Sequence, residues 1–194
     1  MSSKYELNDE LKKACIVGNI NIVKLLIEKG IDWHQGVETA CYHGHIEIVK
    51  LLLSKACNVY NLLNTGLIYA CQGGNIEIVK LLISHGAKNW NTGLIYACQG
   101  GNIEIVKLLI SHGAKNLNAI LIYACQGGNI EIVKLMIEKG ADGWVCGFLN
   151  ACSYGHIDIV KLLIEKGANG CNNGLIGACT NGHIEIVKLM ISLC

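Results

Sequence analysis

The 194-residue sequence predicts an all-α solenoid of seven helix-turn-helix repeats, and three observations predict it. The string from Asn64 to Asn89 returns unchanged from Asn91 to Asn116. A shorter core, Ala-Cys-x-x-Gly-x-Ile-x-Ile-Val-Lys-Leu, starts at Ala14, Ala40, Ala70, Ala97, Ala124, Ala151 and Ala178, mostly 27 residues apart. Such a period signals stacked supersecondary units, each too small to bury its own apolar face. Glycine falls in the turn inside every repeat (Gly18, Gly44, Gly74, Gly101, Gly128, Gly155, Gly182) and again after most second helices, as a C-terminal helix stop requires.

The repeats are expected at about 8–33, 34–63, 64–90, 91–117, 118–144, 145–171 and 172–194, as one array over 1–194. A first helix from Asn8 to Val17 carries Asp9, Glu10, Lys12 and Lys13 where later repeats have apolar residues, so 1–18 includes a polar N-terminal cap. The second helix of that repeat runs from Asn19 to Lys29 and stops at Gly30. In the second helices the polar positions, Glu77, Lys80 and Ser84 for example, form one narrow stripe, and the rest of the circumference needs covering by neighbours. Pairs three apart (Glu47/Lys50, Glu77/Lys80, Glu104/Lys107, Glu131/Lys134, Asp158/Lys161, Glu185/Lys188) read as solvated supports of about 0.2–0.5 kcal/mol each, not as a binding ridge. Asn75, Asn102, His45, His156 and His183 stand where helix N-caps are expected, and His85 and His112 fall in last turns. Repeat two is irregular: Ala56-Cys57 replaces Gly-Ala, and three extra residues precede Asn64, which predicts a local change of pitch.

Composition excludes several classes. The 16 Lys nearly balance the 15 Asp plus Glu, are scattered one or two per repeat, and are accompanied by no Arg, which argues against nucleic acid or an anionic membrane as partner. The polar N-terminus has no apolar stretch of signal-peptide type, and every apolar run is cut by charge short of a membrane span. Eleven Cys without such a signal favour a reducing, cytoplasmic setting. No nucleophile and base, paired carboxylates or phosphate loop converge, so the expectation is a protein that is not an enzyme and holds no cofactor or metal. The column Cys15, Cys41, Cys71, Cys98, Cys125, Cys152 and Cys179 repeats at a spacing near 10 Å, beyond the roughly 7 Å a disulfide tolerates, and reads as small buried packing. Cys57, Cys146, Cys171 and Cys194 are expected in turns or at the end, and exposed.

The pattern Ala-Cys-x-x-Gly-His-Ile-Glu-Ile-Val-Lys-Leu-Leu-Ile-x-x-Gly-Ala is similar to the ankyrin repeat over essentially the whole chain from Asn8, with His156–Ala168 and His45–Leu53 the nearest passages. The ankyrin period is 33, and the residues missing here fall where that family has its β-hairpin finger. Thr-Gly-Leu-Ile at Thr65 and Thr92 also lacks the Pro and His of the family's corner, so the fingers are expected to be shortened or absent. Short repeats rich in Ile, Lys and Asn further resemble ankyrin-like proteins of large DNA viruses of amoebae, which implies a host cytoplasm as setting.

The resemblance implies a non-catalytic scaffold that binds a protein on the concave first-helix face, through the two residues after each Ala-Cys. Here the partner-binding candidates are Tyr42, His43, Gln72, Gln99, Gln126, Ser153, Tyr154, Thr180 and Asn181. The Gln-Gly pairs read equally as soluble surface and as a ladder that reads a partner, and the two Tyr are the better anchors. Trp33, Tyr60, Trp90 and Trp144 recur at inter-repeat turns and read as packing, as do Tyr69, Tyr96 and Tyr123 as core. The last helix keeps its apolar residues, which raises an alternative: a structural or self-assembling component, of a virion for instance, associating through Leu189, Ile191 and Leu193.

Overall fold

The computed structural model describes residues 4–56 and 59–193 and is all-helical among them. It forms two compact units, residues 1–113 and 114–194. The first holds α1 (Lys4–Val17), α2 (Ile20–Glu28), α3 (His34–His43), α4 (Ile46–Lys55), α5 (Val59–Gln72), α6 (Ile76–Ser84), α7 (Trp90–Gln99) and α8 (Ile103–Ser111). The second holds α9 (Leu117–Gly127), α10 (Ile130–Glu138), α11 (Trp144–Tyr154), α12 (Ile157–Glu165), α13 (Cys171–Thr180) and α14 (Ile184–Leu193).

Within each unit, odd-numbered helices pack closely on one another and even-numbered helices meet more sparsely. The reason lies in the residue sizes at the contact. A Cβ added at Gly66 or Gly93 would stand 3.2 or 3.1 Å from the sulfur of Cys41 or Cys71 in the preceding first helix. Glycine against cysteine lets neighbouring first helices approach, and it explains both columns together. The expected buried role of Cys15, Cys41, Cys71, Cys98, Cys125 and Cys152 is seen, whereas Cys179 is exposed, α13 being the last first helix among the described residues. Desolvation pushes the thiols of Cys71, Cys98 and Cys125 up to about 12, so they stay protonated and inert. Cys146 is exposed but lies inside α11, and the half-buried Cys171 opens α13, so neither sits in a turn. Cys57 and Cys194 lie outside the described residues.

The second helices bury a narrower stripe than their composition suggests: Ile78, Val79 and Leu82 in α6, with Ile76, Leu81 and Ile83 half-buried. Lysines bridge Glu47, Glu77, Glu104, Glu131 and Glu185 at 2.8–2.9 Å, all on solvated surface. The extra residues of repeat two become an added turn at the start of α5, where Leu62 and Leu63 are buried. Likewise α1 begins at Lys4, four residues before the expected Asn8, and Asp9, Glu10, Lys12 and Lys13 are exposed.

Asparagine replaces the finger. The link between α6 and α7, residues 85–89, is an irregular turn whose Lys88 and Asn89 amides donate to the Asn64 side-chain oxygen at 2.9 and 3.0 Å. In the second unit Asn118 accepts from the Asp142 amide at 2.8 Å in the same way. The indole N–H of Trp90 donates to the Ala87 carbonyl, and that of Trp144 to the Ala141 carbonyl, both at 3.0 Å. These half-buried rings close the turns, whereas Tyr60, grouped with them by position, is 58% exposed. It lies within α5 and closes no turn.

Candidate functional site

Two sets of side chains meet at the C-terminal ends of the first helices. One faces the next repeat and one faces solvent. A helix end leaves carbonyls without intrahelical partners, and here the next repeat supplies the donors. The Asn75 amide donates to the Cys41 and Tyr42 carbonyls at 2.8 and 2.7 Å, and Asn102 donates to the Cys71 carbonyl at 2.9 Å. Histidine does the same: His45 Nε2 donates to Ile16 O, His156 to Gln126 O and His183 to Ser153 O, at 2.8, 3.0 and 3.0 Å.

His45, Asn75, Asn102 and His156 stand at N-cap positions, but their side chains do not cap their own helices. Among the described N-cap residues, Asn19 and Asn129 do so, accepting from the Ile22 and Ile132 amides. The expected capping role is therefore corrected to a latch between repeats, each worth about 0.5–1.5 kcal/mol as a net hydrogen bond. The turn glycine before each latch serves two ends. Gly44 has φ +82, a left-handed value that favours glycine, and its missing Cβ leaves the space that Asn75 crosses. Gly73 is likewise needed for approach: a Cβ there would collide with the Tyr42 carbonyl, so the Gln-Gly pair is more than a helix stop.

The solvent-facing set contains the sequence candidates. Tyr42 and Tyr154 are 42% and 50% exposed. His43, Gln72, Gln99, Thr180 and Asn181 are exposed, and Gln126 and Ser153 are half-buried. In the first unit Tyr42 and His43 meet edge to face at 5.1 Å, and with Gln72 they line one pocket of about 510 Å³. In the second unit Gln126 donates to the Tyr154 hydroxyl at 2.8 Å, and Ser153, Tyr154, Asn181 and His183 line another pocket of about 490 Å³. Thr180 and Asn181 donate back to the Ile176 and Gly177 carbonyls of their own helix. Gln99 lines neither of these pockets.

Sequence reasoning missed residues on this face. Tyr69, Tyr96 and Tyr123, expected in the core, are half-buried and open to the face, because the buried side is already filled by Leu67, Leu94, Leu121, Ala and Cys. Gln35, Glu38, Thr39 and Tyr69 line the first-unit pocket beside Lys12, Ile16, Tyr42, His43 and Gln72. One signal was available: Glu38 is the sole Asp, Glu or Lys in α3, α5, α7, α9, α11 and α13. The Glu38 carboxylate lies beside the Tyr69 hydroxyl, and its charge raises the Tyr69 pKa, with burial adding to the effect. At the apolar candidates, Ile191 and Leu193 are 65% and 50% exposed and Leu189 is half-buried.

Stacked helix pairs with Ala-Cys facing glycine and outward-facing polar rows match a family model, ankyrin repeats (3 copies), over residues 11–93, 67–145 and 148–193. The chain belongs to the ankyrin repeat family. Its helical-repeat fold is similar to that of the human ASB11 ankyrin repeat domain, at 24% identity and TM-score 0.63, over 82% of this chain and 84% of that one. No curated protein sequence matches it. Ankyrin repeats generally mediate protein–protein interaction, and the family is typically non-catalytic. No helix among the described residues of this ankyrin chain is long and apolar enough to cross a membrane, and no group of three or more His, Cys, Asp or Glu among them is placed to hold a metal.

Proposed function

We propose that this ankyrin chain is a non-catalytic scaffold whose protein partner docks on the first-helix face. The docking residues are Tyr42, His43, Gln72, Gln99, Gln126, Ser153, Tyr154, Thr180 and Asn181. One observation carries the reading: first helices that bury equivalent residues differ from one another on their solvent side. Stacking leaves that side unconstrained, and exposed Tyr42 and Tyr154 supply rigid, amphipathic contact area. The single-array organisation rests on the 27-residue period of the sequence. The free thiols support a reducing, cytoplasmic setting. The short Ile-, Lys- and Asn-rich repeat supports a source among the large DNA viruses of amoebae, and the host cytoplasm would then be that setting.

The test is a pull-down with the native chain and with the triple variant Tyr42→Ala, Gln99→Ala, Tyr154→Ala. A partner held by the first and lost by the second, at equal helicity, supports the reading. Equal capture by both overturns the choice of face. Exposed Ile184, Ile191 and Leu193 favour a second reading, self-association through the last helix with Leu189 at its edge. A mass that stays monomeric as concentration rises removes that reading.

A further inference from the structure

The pocket of the first unit has a polarity that the other first helices lack. At the repeat position of Glu38 the later repeats carry Ile68, Ile95, Ile122, Leu149 and Ile176, all aliphatic and uncharged. Glu38 departs from that pattern at half burial, where an ionised carboxylate needs a partner. Tyr69 lines the same pocket, with its hydroxyl near enough for the carboxylate charge to raise its pKa. Among the described residues no Lys lies within ion-pair distance of Glu38, although Lys12 reaches the same pocket from α1. A carboxylate offers about four acceptor sites on two oxygens, so Glu38 has capacity for a bidentate donor. Around it stand two phenol rings, Tyr42 and Tyr69, the amides of Gln35 and Gln72, and the aliphatic Ile16.

We propose that this pocket receives an arginine side chain of the partner protein, with the Glu38 carboxylate as its counter-charge and Tyr42 and Tyr69 as its walls. The proposal rests on the docking face proposed above and adds what that face selects. Arginine fits better than lysine because its planar fork can pair with a carboxylate and stack on aromatic rings, and it is more weakly hydrated than an ammonium. The volume, about 510 Å³, lies within the usual range of small-ligand clefts. Lys12 gives the site a direction. It occupies the repeat position of Glu38 one repeat earlier, so the two helix positions lie about one helix-packing distance apart, roughly 8–10 Å. An extended partner spans that distance in about three residues. A carboxylate three positions from the arginine therefore complements Lys12, and a second cation there is repelled.

N-acetyl-arginine amide is the first probe, with the neutral isostere N-acetyl-citrulline amide as control, titrated into the whole chain and followed by backbone amide NMR shifts. A ligand this small is expected to bind at millimolar order. The expected result is arginine shifts centred on Glu38, Tyr42 and Tyr69, and citrulline weaker by about tenfold, the scale of a hydrogen bond to a charged group. Glu38→Gln keeps the shape and is expected to abolish the discrimination, while Lys12→Ala tightens arginine by about twofold to threefold through loss of a screened like charge. Absence of arginine binding, equal citrulline binding, or full discrimination in Glu38→Gln each overturns the proposal. If Glu38→Gln also loses its helical spectrum, Tyr69→Phe gives the second reading, because it leaves the carboxylate, removes a hydroxyl from the pocket wall and is expected to weaken arginine selectively. A captured partner that Glu38→Gln still binds in full sinks the arginine pocket alone. Loss of the partner on the Tyr42, Gln99 and Tyr154 substitutions still supports the docking face.

Discussion

Two first helices of one unit, α3 and α7, bury the same four positions: Gly36, Val37, Ala40 and Cys41 in one, Gly93, Leu94, Ala97 and Cys98 in the other. Their outward sides share little. Glu38, Thr39, Tyr42 and His43 in α3 stand where α7 has Ile95, Tyr96, Gln99 and Gly100. The repeat therefore spends one face of each helix on stacking and leaves the other free to vary without cost to the fold. Substitutions on the two sides should fall into two classes, one read by stability and one read by binding.

The largest effect is expected on the buried side. Leu94→Ala removes a side chain with 0% exposure and should lower unfolding free energy by about 2–5 kcal/mol, with Val37→Ala lower in the same direction. Urea unfolding measures it, and a midpoint unmoved by Leu94→Ala would contradict the packing. Gly93→Val tests the opposite fault. Its Cβ would already lie 3.1 Å from the Cys71 sulfur, so overpacking of about 1–3 kcal/mol is expected.

Both helices also carry a buried thiol, and this gives the comparison a pH dependence. Burial raises Cys98 to about 12 from an ordinary value near 9, and raises Cys41 as well. The folded state holds these protons more tightly than the unfolded chain does. Their contribution to stability is therefore complete below about pH 9 and is lost as pH rises toward about 12. The urea midpoint is expected to fall between about pH 8 and about pH 10.5, and to fall less in Cys98→Ala. A slope unchanged by Cys98→Ala would show that this thiol is accessible in the folded chain.

The stacked side was the legible one. Ala-Cys, the turn glycines and the Ile-Val-Lys-Leu periodicity recur because stacking demands the same shape at every repeat, and repetition within one chain makes such a demand visible. The Glu-Lys pairs were read correctly for the same reason. The latch was not legible, since Asn75 and His45 occupy positions where local rules favour an N-cap, and only the neighbouring carbonyls of Tyr42 and Ile16 reveal the other use. The half-burial of Tyr69 was hidden too, because its exposure depends on which side of the helix Leu67 and Cys71 fill. Glu38 was visible as an isolated charge, but its pocket depends on α1, α3 and α5 coming together.

The latch separates the classes at an intermediate scale. Asn102→Ala frees the Cys71 carbonyl and is expected to cost about 1 kcal/mol, as is His45→Ala at the Ile16 carbonyl. The exchange His45→Asn should restore most of the loss, because Asn75 shows that an amide can span the same place. If His45→Asn is as unstable as His45→Ala, the two latches are not equivalent, and the ring must act through packing.

The smallest effect sharpens the comparison most. Glu104→Gln and Glu38→Gln are the same chemical change on opposite sides of the repeat. Glu104 bridges Lys107 at 2.9 Å with both side chains mostly exposed, so its loss should cost only about 0.2–0.5 kcal/mol. That difference should vanish in about 1 M salt, where the screening length is about 3 Å. Glu38 has no such lysine, and the aliphatic residues at its repeat position show that the stack does not need its charge. Glu38→Gln should therefore leave the urea midpoint unchanged or raise it slightly in both low and high salt, since a half-buried charge is removed and an amide can still meet Tyr69. A clear loss of stability in Glu38→Gln would instead assign the carboxylate to the fold, and the division between a stacked side and a free side would fail at the one first helix where it was drawn most sharply.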